Sequence, residues 1–230
     1  MRVRSVSHLN LSCVLFDLDG TLVDTAPDLL AALNYALQQH GQAAIDTQAI
    51  KPFISFGAAA MLKKSLGDNG NEIDHSEMLA TMLSHYQQHL ACHSRLFDGM
   101  AELLADLEDQ GLKWGVVTNK HRRYTQPLMS ALGLTERAAC IVSGDDTPFP
   151  KPNPAPLFAA CQQAEVSASE CVYIGDASHD ITAGNSANMT TLAAVYGYLK
   201  PNDTPELWGA DVLIHSPAHL ADWLKEILCR

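Results

Sequence analysis

The tetrapeptide Asp17-Leu18-Asp19-Gly20 closes an apolar run at residues 13–16. Two carboxylates so close repel, and they are not both buried cheaply without a cation nearby. The run before them is short and apolar on both faces, as a strand covered by helices on both sides is. Runs of the same character recur at 113–117, 140–143, 171–174, 191–195 and 211–214. Helical patterns separate them at 100–110, 123–132, 155–164, 181–187 and 218–228. This alternation predicts an α/β fold built on a doubly wound parallel sheet.

The rhythm fails between residues 27 and 93, where no strand-like run occurs. Helical patterns there cover 28–40, 47–54, 58–66 and 75–91. Loops within a βα unit normally span ~2–6 residues, so a block this long is no simple crossover. It reads as an inserted helical subdomain at 25–94, with residues 1–24 and 95–230 forming the α/β core. Residues 93–100 return the chain to the core.

Ligands of open α/β sheets bind off the carboxyl ends of the strands. Asp17, Asp19, Gly20 and Thr21 follow the first run. Thr118, Asn119 and Lys120 follow the second, Lys151-Pro152 closes the loop after the third, and Gly175, Asp176 and Asp180 follow the fourth. The polar material therefore collects on one edge of the sheet. Aspartates gathered there call for a hard divalent cation, and Mg²⁺ suits carboxylates combined with a substrate phosphate. Thr118, Lys151 and the backbone N–H groups of the Gly20 turn suit phosphate oxygens. Together these features point to phosphoryl transfer.

The segments "DLDGTLVDT", "VVTN", "KPNP" and "GDASHD", in this order and each after a strand, resemble the four motifs of the haloacid dehalogenase-like phosphohydrolases. The resemblance covers nearly the whole chain, and the helical insertion stands where that superfamily carries a cap. It implies Asp17 as nucleophile, forming an aspartyl-phosphate, and Asp19 as general acid and then base. It further implies Mg²⁺ held by the Asp17 carboxylate, the Asp19 backbone carbonyl and the Asp176 carboxylate. Thr118, the Asn119 backbone and Lys151 would grip phosphate, and Asp180 would orient Lys151 or a metal-bound water. An acid at position 19 favours a phosphatase or mutase over a P-type ATPase-like phosphate carrier. Ala177 stands where many relatives carry a hydroxyl or carboxylate. Asn188 replaces a frequent glycine and can adopt the left-handed cap conformation.

Two branches of this superfamily share longer stretches. "DLDGTLVDTAPDL", "GVVTNK" and "AAVYGY" resemble phosphoglycolate phosphatases. "HSRLFDGMAELLADLE", "WGVVTNK" and "YGYLKPNDTPELWGADVLI" are more similar to N-acetylmuramic acid 6-phosphate phosphatases. The expected activity is thus a Mg²⁺-dependent phosphomonoesterase for a small phosphorylated metabolite, phosphoglycolate or the larger muramic acid ester. A sugar-phosphate mutase, a metal-free dehalogenase and a non-catalytic phospholigand-binding protein are weaker alternatives. The insertion offers few cations for a second phosphate, which counts against the mutase. Gly57 is expected to allow close backbone approach, and residues 57–60 to leave room in front of Asp17.

Composition narrows the partners. A net charge of -11 disfavours nucleic acid and anionic membranes. Arg2 and Arg4 precede too short an apolar run for a signal peptide, and no uncharged stretch approaches a span, so a cytoplasmic monomer or homodimer is expected. Six scattered cysteines without a C-x-x-C read as buried reduced thiols. His85, His89 and His93 recur at zinc-compatible spacing but read as a solvated helix face. Trp114, Tyr173 and Trp208 read as core, Asp24 as the cap of the first inserted helix, and strand alternation is expected to bring Asp17 and Asp19 to one side.

Overall fold

The structure, a computed structural model, describes residues 10–67 and 75–229. Arg2 and Arg4 lie outside them. Six strands form one parallel sheet: β1 (Cys13–Phe16), β4 (Lys113–Val117), β5 (Cys140–Val142), β6 (Cys171–Gly175), β7 (Thr190–Ala194) and β8 (Val212–Ile214). Their order is β5-β4-β1-β6-β7-β8. The chain thus runs outward from β1 to β5, then returns to the other side of β1 and runs outward again. β1 stands at the switch point, flanked by β4 and β6, with Phe16 paired to Val116 and Ile174. A crevice at the carboxyl end of these three strands follows from that order.

Alternate residues of β1 enter two separate cores. Val14 and Phe16 pack with Leu104 and Leu107 of α5 (Met100–Asp109) and Leu220 of α9 (Pro217–Leu228). Cys13 and Leu15 pack with Leu157 and Ala160 of α7 (Ala155–Ala164) and Ala183 of α8 (Ser178–Ser186). Cover on both faces is the physical reason that these strands lack polar alternation. α6 (Arg122–Ala131) completes the first face through Leu128 and Met129.

Residues between β1 and α5 form a helical unit with its own apolar cluster. α1 (Ala26–Gln39) packs along α4 (His75–Gln88), with Leu33, Leu37, Met78 and Met82 buried between them. The helix expected at 47–54 divides into a short α2 (Thr47–Ile50) and a 3₁₀ turn, Lys51–Phe56. Pro52 lies at that division, and its ring and missing N–H are incompatible with a continuing α-helical ladder. α3 (Ala58–Leu66) follows. The unit is hinged on a two-stranded ribbon, β2 (Val23–Asp24) with β3 (Arg95–Leu96). Asp28, buried in α1, accepts the backbone N–H groups of His93 and Ser94 and the Ser94 hydroxyl, fastening the returning chain to the departing one.

Several smaller expectations change. Trp208 is only half-buried, whereas Trp114 is buried and its indole N–H donates to Glu108 at 2.8 Å. His85 and His89 stack at 4.1 Å and His85 stacks again on Tyr35, so only His89 and His93 are solvent-exposed members of that series. Asn188 has φ 59° after α8, the left-handed cap conformation expected of it. No described helix is long and apolar enough to cross a membrane.

Candidate active site

Asp17 begins a turn, not the last position of β1. The amide N–H of Leu22 donates to the Asp17 and Leu18 carbonyls, and Gly20 N–H donates to the Val23 carbonyl. Strand alternation therefore does not place Asp19, and the turn does. Leu18 is fully buried. Gly20 is required twice. Its φ is +88°, and a Cβ there would stand 2.3 Å from Asp176 Oδ2, in the space of the carboxylate.

Asp17, Asp176 and Asp180 are buried, and each offers an oxygen within 4.8 Å of the other two. Lys151 stands among them with its ammonium fully enclosed. Four oxygens lie within hydrogen-bond distance of its three N–H groups: Asp17 Oδ1 at 2.8 Å, Asp180 Oδ1 at 2.7 Å, the Val117 carbonyl at 2.9 Å and the Tyr173 hydroxyl at 2.7 Å. The Asn119 amide braces the loop carrying it: Asn119 Nδ2 donates to the Lys151 carbonyl, and Lys151 N–H donates to Asn119 Oδ1. Thr118 is buried, its hydroxyl accepting the Lys120 N–H at 3.2 Å.

Three acids against one lysine leave an imbalance. Burial raises the Asp17 carboxyl to about 7 despite Lys151, with Asp180 and Asp19 pushing the same way. Burial, then the charges of Asp17 and Asp180, hold Asp176 well above the usual carboxylate range. Asp180 is held low: burial opposes its ionisation, but Lys151 and hydrogen bonds outweigh it. Asp180 Oδ2 also accepts the Ala177 N–H at 3.1 Å, so both its oxygens are committed. Asp176 Oδ1 is buried and has no hydrogen-bond partner among the described residues. A donor set of oxygens, an orphaned carboxylate oxygen and uncompensated charge fit a hard divalent cation.

Further residues, to which the sequence reading gave no role in the site, complete it. Asp19 Oδ1 accepts the Thr25 hydroxyl at 2.6 Å and the Lys120 ammonium at 2.9 Å. Asp176 Oδ2 accepts the Tyr198 N–H at 2.8 Å and the Ser55 hydroxyl at 2.9 Å. Tyr173, read as core, is buried but presents its hydroxyl to Lys151 and Asp180. Asp24 accepts both the Ala26 N–H at the start of α1 and the Tyr198 hydroxyl. Only Lys120 carried a sequence signal, its place directly after Thr118 and Asn119.

A cavity of about 310 Å³ opens beside Asp19 between the helical unit and the core. Gly57, Ala58 and Ala59 line it, as expected, but it reaches Asp19 and not Asp17. Nothing stands within 4 Å of a Cβ at Gly57, so that glycine serves its φ of +88° and no close approach.

The N-acetylmuramic acid 6-phosphate phosphatase of Pseudomonas aeruginosa is 41% identical over 97% of this chain and 99% of its own length. The phosphoglycolate phosphatase of Xanthomonas campestris pv. campestris is 39% identical over 90% of this chain and 93% of its own. The crystal structure of a predicted phosphoglycolate phosphatase from Haemophilus somnus superposes with a TM-score of 0.83 at 27% identity, covering 94% of this chain and 98% of that one. The haloacid dehalogenase-like hydrolase family matches residues 14–194, from β1 through β7. The chain belongs to the haloacid dehalogenase-like hydrolases.

Proposed function

We propose that this hydrolase is a Mg²⁺-dependent phosphomonoesterase, acting on a small phosphorylated metabolite through an aspartyl-phosphate on Asp17. The observation carrying the reading is the cluster of Asp17, Asp176 and Asp180 around the enclosed Lys151 ammonium, with Asp176 Oδ1 unpartnered. The Asp17 carboxylate, the Asp19 carbonyl and the Asp176 carboxylate would hold Mg²⁺. When bound, it would neutralise charge developing on the transferred phosphoryl group. Residues 25–94 act as the cap over this site.

The chain's own residues carry the chemistry. An Asp17 oxygen attacks phosphorus in line, the bond from phosphorus to the ester oxygen breaks, and Asp19 gives its proton to the departing alkoxide. Water then attacks phosphorus and loses a proton to Asp19, while the Asp17 oxygen leaves with its electron pair. Thr25 and Lys120 hold the Asp19 carboxyl for both transfers. Lys151 keeps Asp17 ionisable, Asp180 and Tyr173 hold Lys151 in place, and Thr118 and the Asn119 backbone face the phosphate.

Phosphoglycolate and N-acetylmuramic acid 6-phosphate are the substrates named for the relatives. The cavity favours the larger. At about 310 Å³, with apolar walls from both the helical unit and the core, it is roomier than a two-carbon acid needs. Phosphate release at saturating Mg²⁺ from both esters tests the proposal. A kcat/KM higher for the muramic acid ester supports it, and turnover undiminished by EDTA would overturn the metal dependence.

A further inference from the structure

The cavity beside Asp19 is unevenly charged. Asp19 is paired with Lys120 at 2.9 Å, and His121 leans toward Asp145 at 3.6 Å. Arg123, exposed in the first turn of α6, also lines the cavity. Among the described residues it makes no ion pair, and its guanidinium lies over the Tyr124 ring at 4.7 Å. A cation free of any carboxylate is notable in a chain of net charge -11.

The opposite wall supplies a second observation. Tyr86 of α4 lines the same cavity and is 2% exposed. Among the described residues its buried hydroxyl has no hydrogen-bond partner. Lys120, held by Asp19, lies over its ring at 4.7 Å, and its charge acts on the phenol. Burial raises the phenol to about 12, so it remains an O–H donor. Buried hydroxyls are normally paired, and Tyr86 is part of the wall of a cavity that a ligand would fill. Leu29, Ile54, Met61 and Leu83 make the remaining wall apolar.

We infer that Arg123 and the Tyr86 hydroxyl form a leaving-group subsite for an alcohol bearing a carboxylate at a distance from its phosphate, on an apolar bed. This rests on the phosphomonoesterase reading above. A single guanidinium presents a planar fork that matches one carboxylate in bidentate fashion. Lys120 is engaged by Asp19, so the described cavity has no second free fixed cation for a second phosphate. Arg123 acts on specificity alone, since the phosphoryl group is handled at Asp17.

Two esters that differ only in the acidic side chain test this: N-acetylmuramic acid 6-phosphate and N-acetylglucosamine 6-phosphate. The wild type is expected to favour the first by roughly 10- to 100-fold in kcat/KM, the range of a charge-assisted contact. Arg123→Gln is expected to bring the ratio close to one, and Arg123→Lys to restore part of it. Tyr86→Phe is expected to raise KM several-fold at an unchanged unfolding midpoint, because no protein partner is lost. Equal kcat/KM for both esters in the wild type, a ratio that survives Arg123→Gln, or a preference for a sugar bisphosphate would overturn the subsite while the phosphatase reading stands. Failure to release phosphate from any monoester overturns the phosphatase reading, and the subsite with it.

Discussion

The hydroxyl of Ser55 donates to Asp176 Oδ2 at 2.9 Å, joining the inserted helices directly to the acid cluster at the end of β6. The two residues are 121 positions apart. Partners that fix a ligating carboxylate typically change metal affinity by about 10–100-fold. Ser55→Ala is expected to weaken Mg²⁺ binding by about tenfold, read by calorimetric titration. Unchanged affinity would show that this contact only closes the cap.

Asp17→Asn keeps the shape of the side chain and removes the nucleophilic charge. Loss of turnover by about 10³-fold or more is expected, in line with removal of a catalytic nucleophile elsewhere. Lys151 retains Asp180, Tyr173 and the Val117 carbonyl, so the circular dichroism spectrum should match that of the wild type.

Lys151→Met should act on folding as well as on activity. It strands the buried Asp17 and Asp180 without their cation, and breaking a buried pair costs about 3–5 kcal/mol. For a chain of this size that lowers Tm by on the order of 10 °C, measurable by calorimetry. Arginine should not rescue it, because the ammonium is enclosed on all sides by its four acceptors.

The acid cluster couples metal binding to pH. Asp17 is raised from 3.8 to about 7 in the fold, and Asp176 is raised as well. A carboxyl with a raised folded-state value stabilises the fold at low pH, and that contribution fades as pH rises from about 4 through about 7. The metal needs the deprotonated forms and competes with these protons. Thermal scans with and without Mg²⁺ should show a larger Mg²⁺-induced rise in Tm at pH 8 than at pH 5.5. An equal rise at both would place the metal away from Asp17 and Asp176.

Much of the fold was legible in the chain because its signals are local. Runs such as 113–117 carry their own burial in their composition, and all six became strands of the parallel sheet. The acids were legible for the same reason, since Asp17, Asp19, Asp176 and Asp180 each follow such a run. Ser55, Thr25 and Tyr198 were not legible. A lone hydroxyl or one backbone N–H has no periodicity, and its role arises only from what the fold brings beside it. Tyr173 fills core as expected, and only the fold shows that its hydroxyl reaches Lys151.

A parallel α/β sheet interrupted by helices, with carboxylates at the strand ends, is already written in the chain, because apolar period and turn chemistry act over a few residues. The tertiary structure alone decided how those acids are charged. The neighbouring strands β1 and β6 put Asp17, Asp176 and Asp180 out of water around one ammonium, leaving one oxygen of Asp176 without a partner among the described residues. Burial and distances of a few ångströms set that balance, and both exist only once residues more than a hundred positions apart have met.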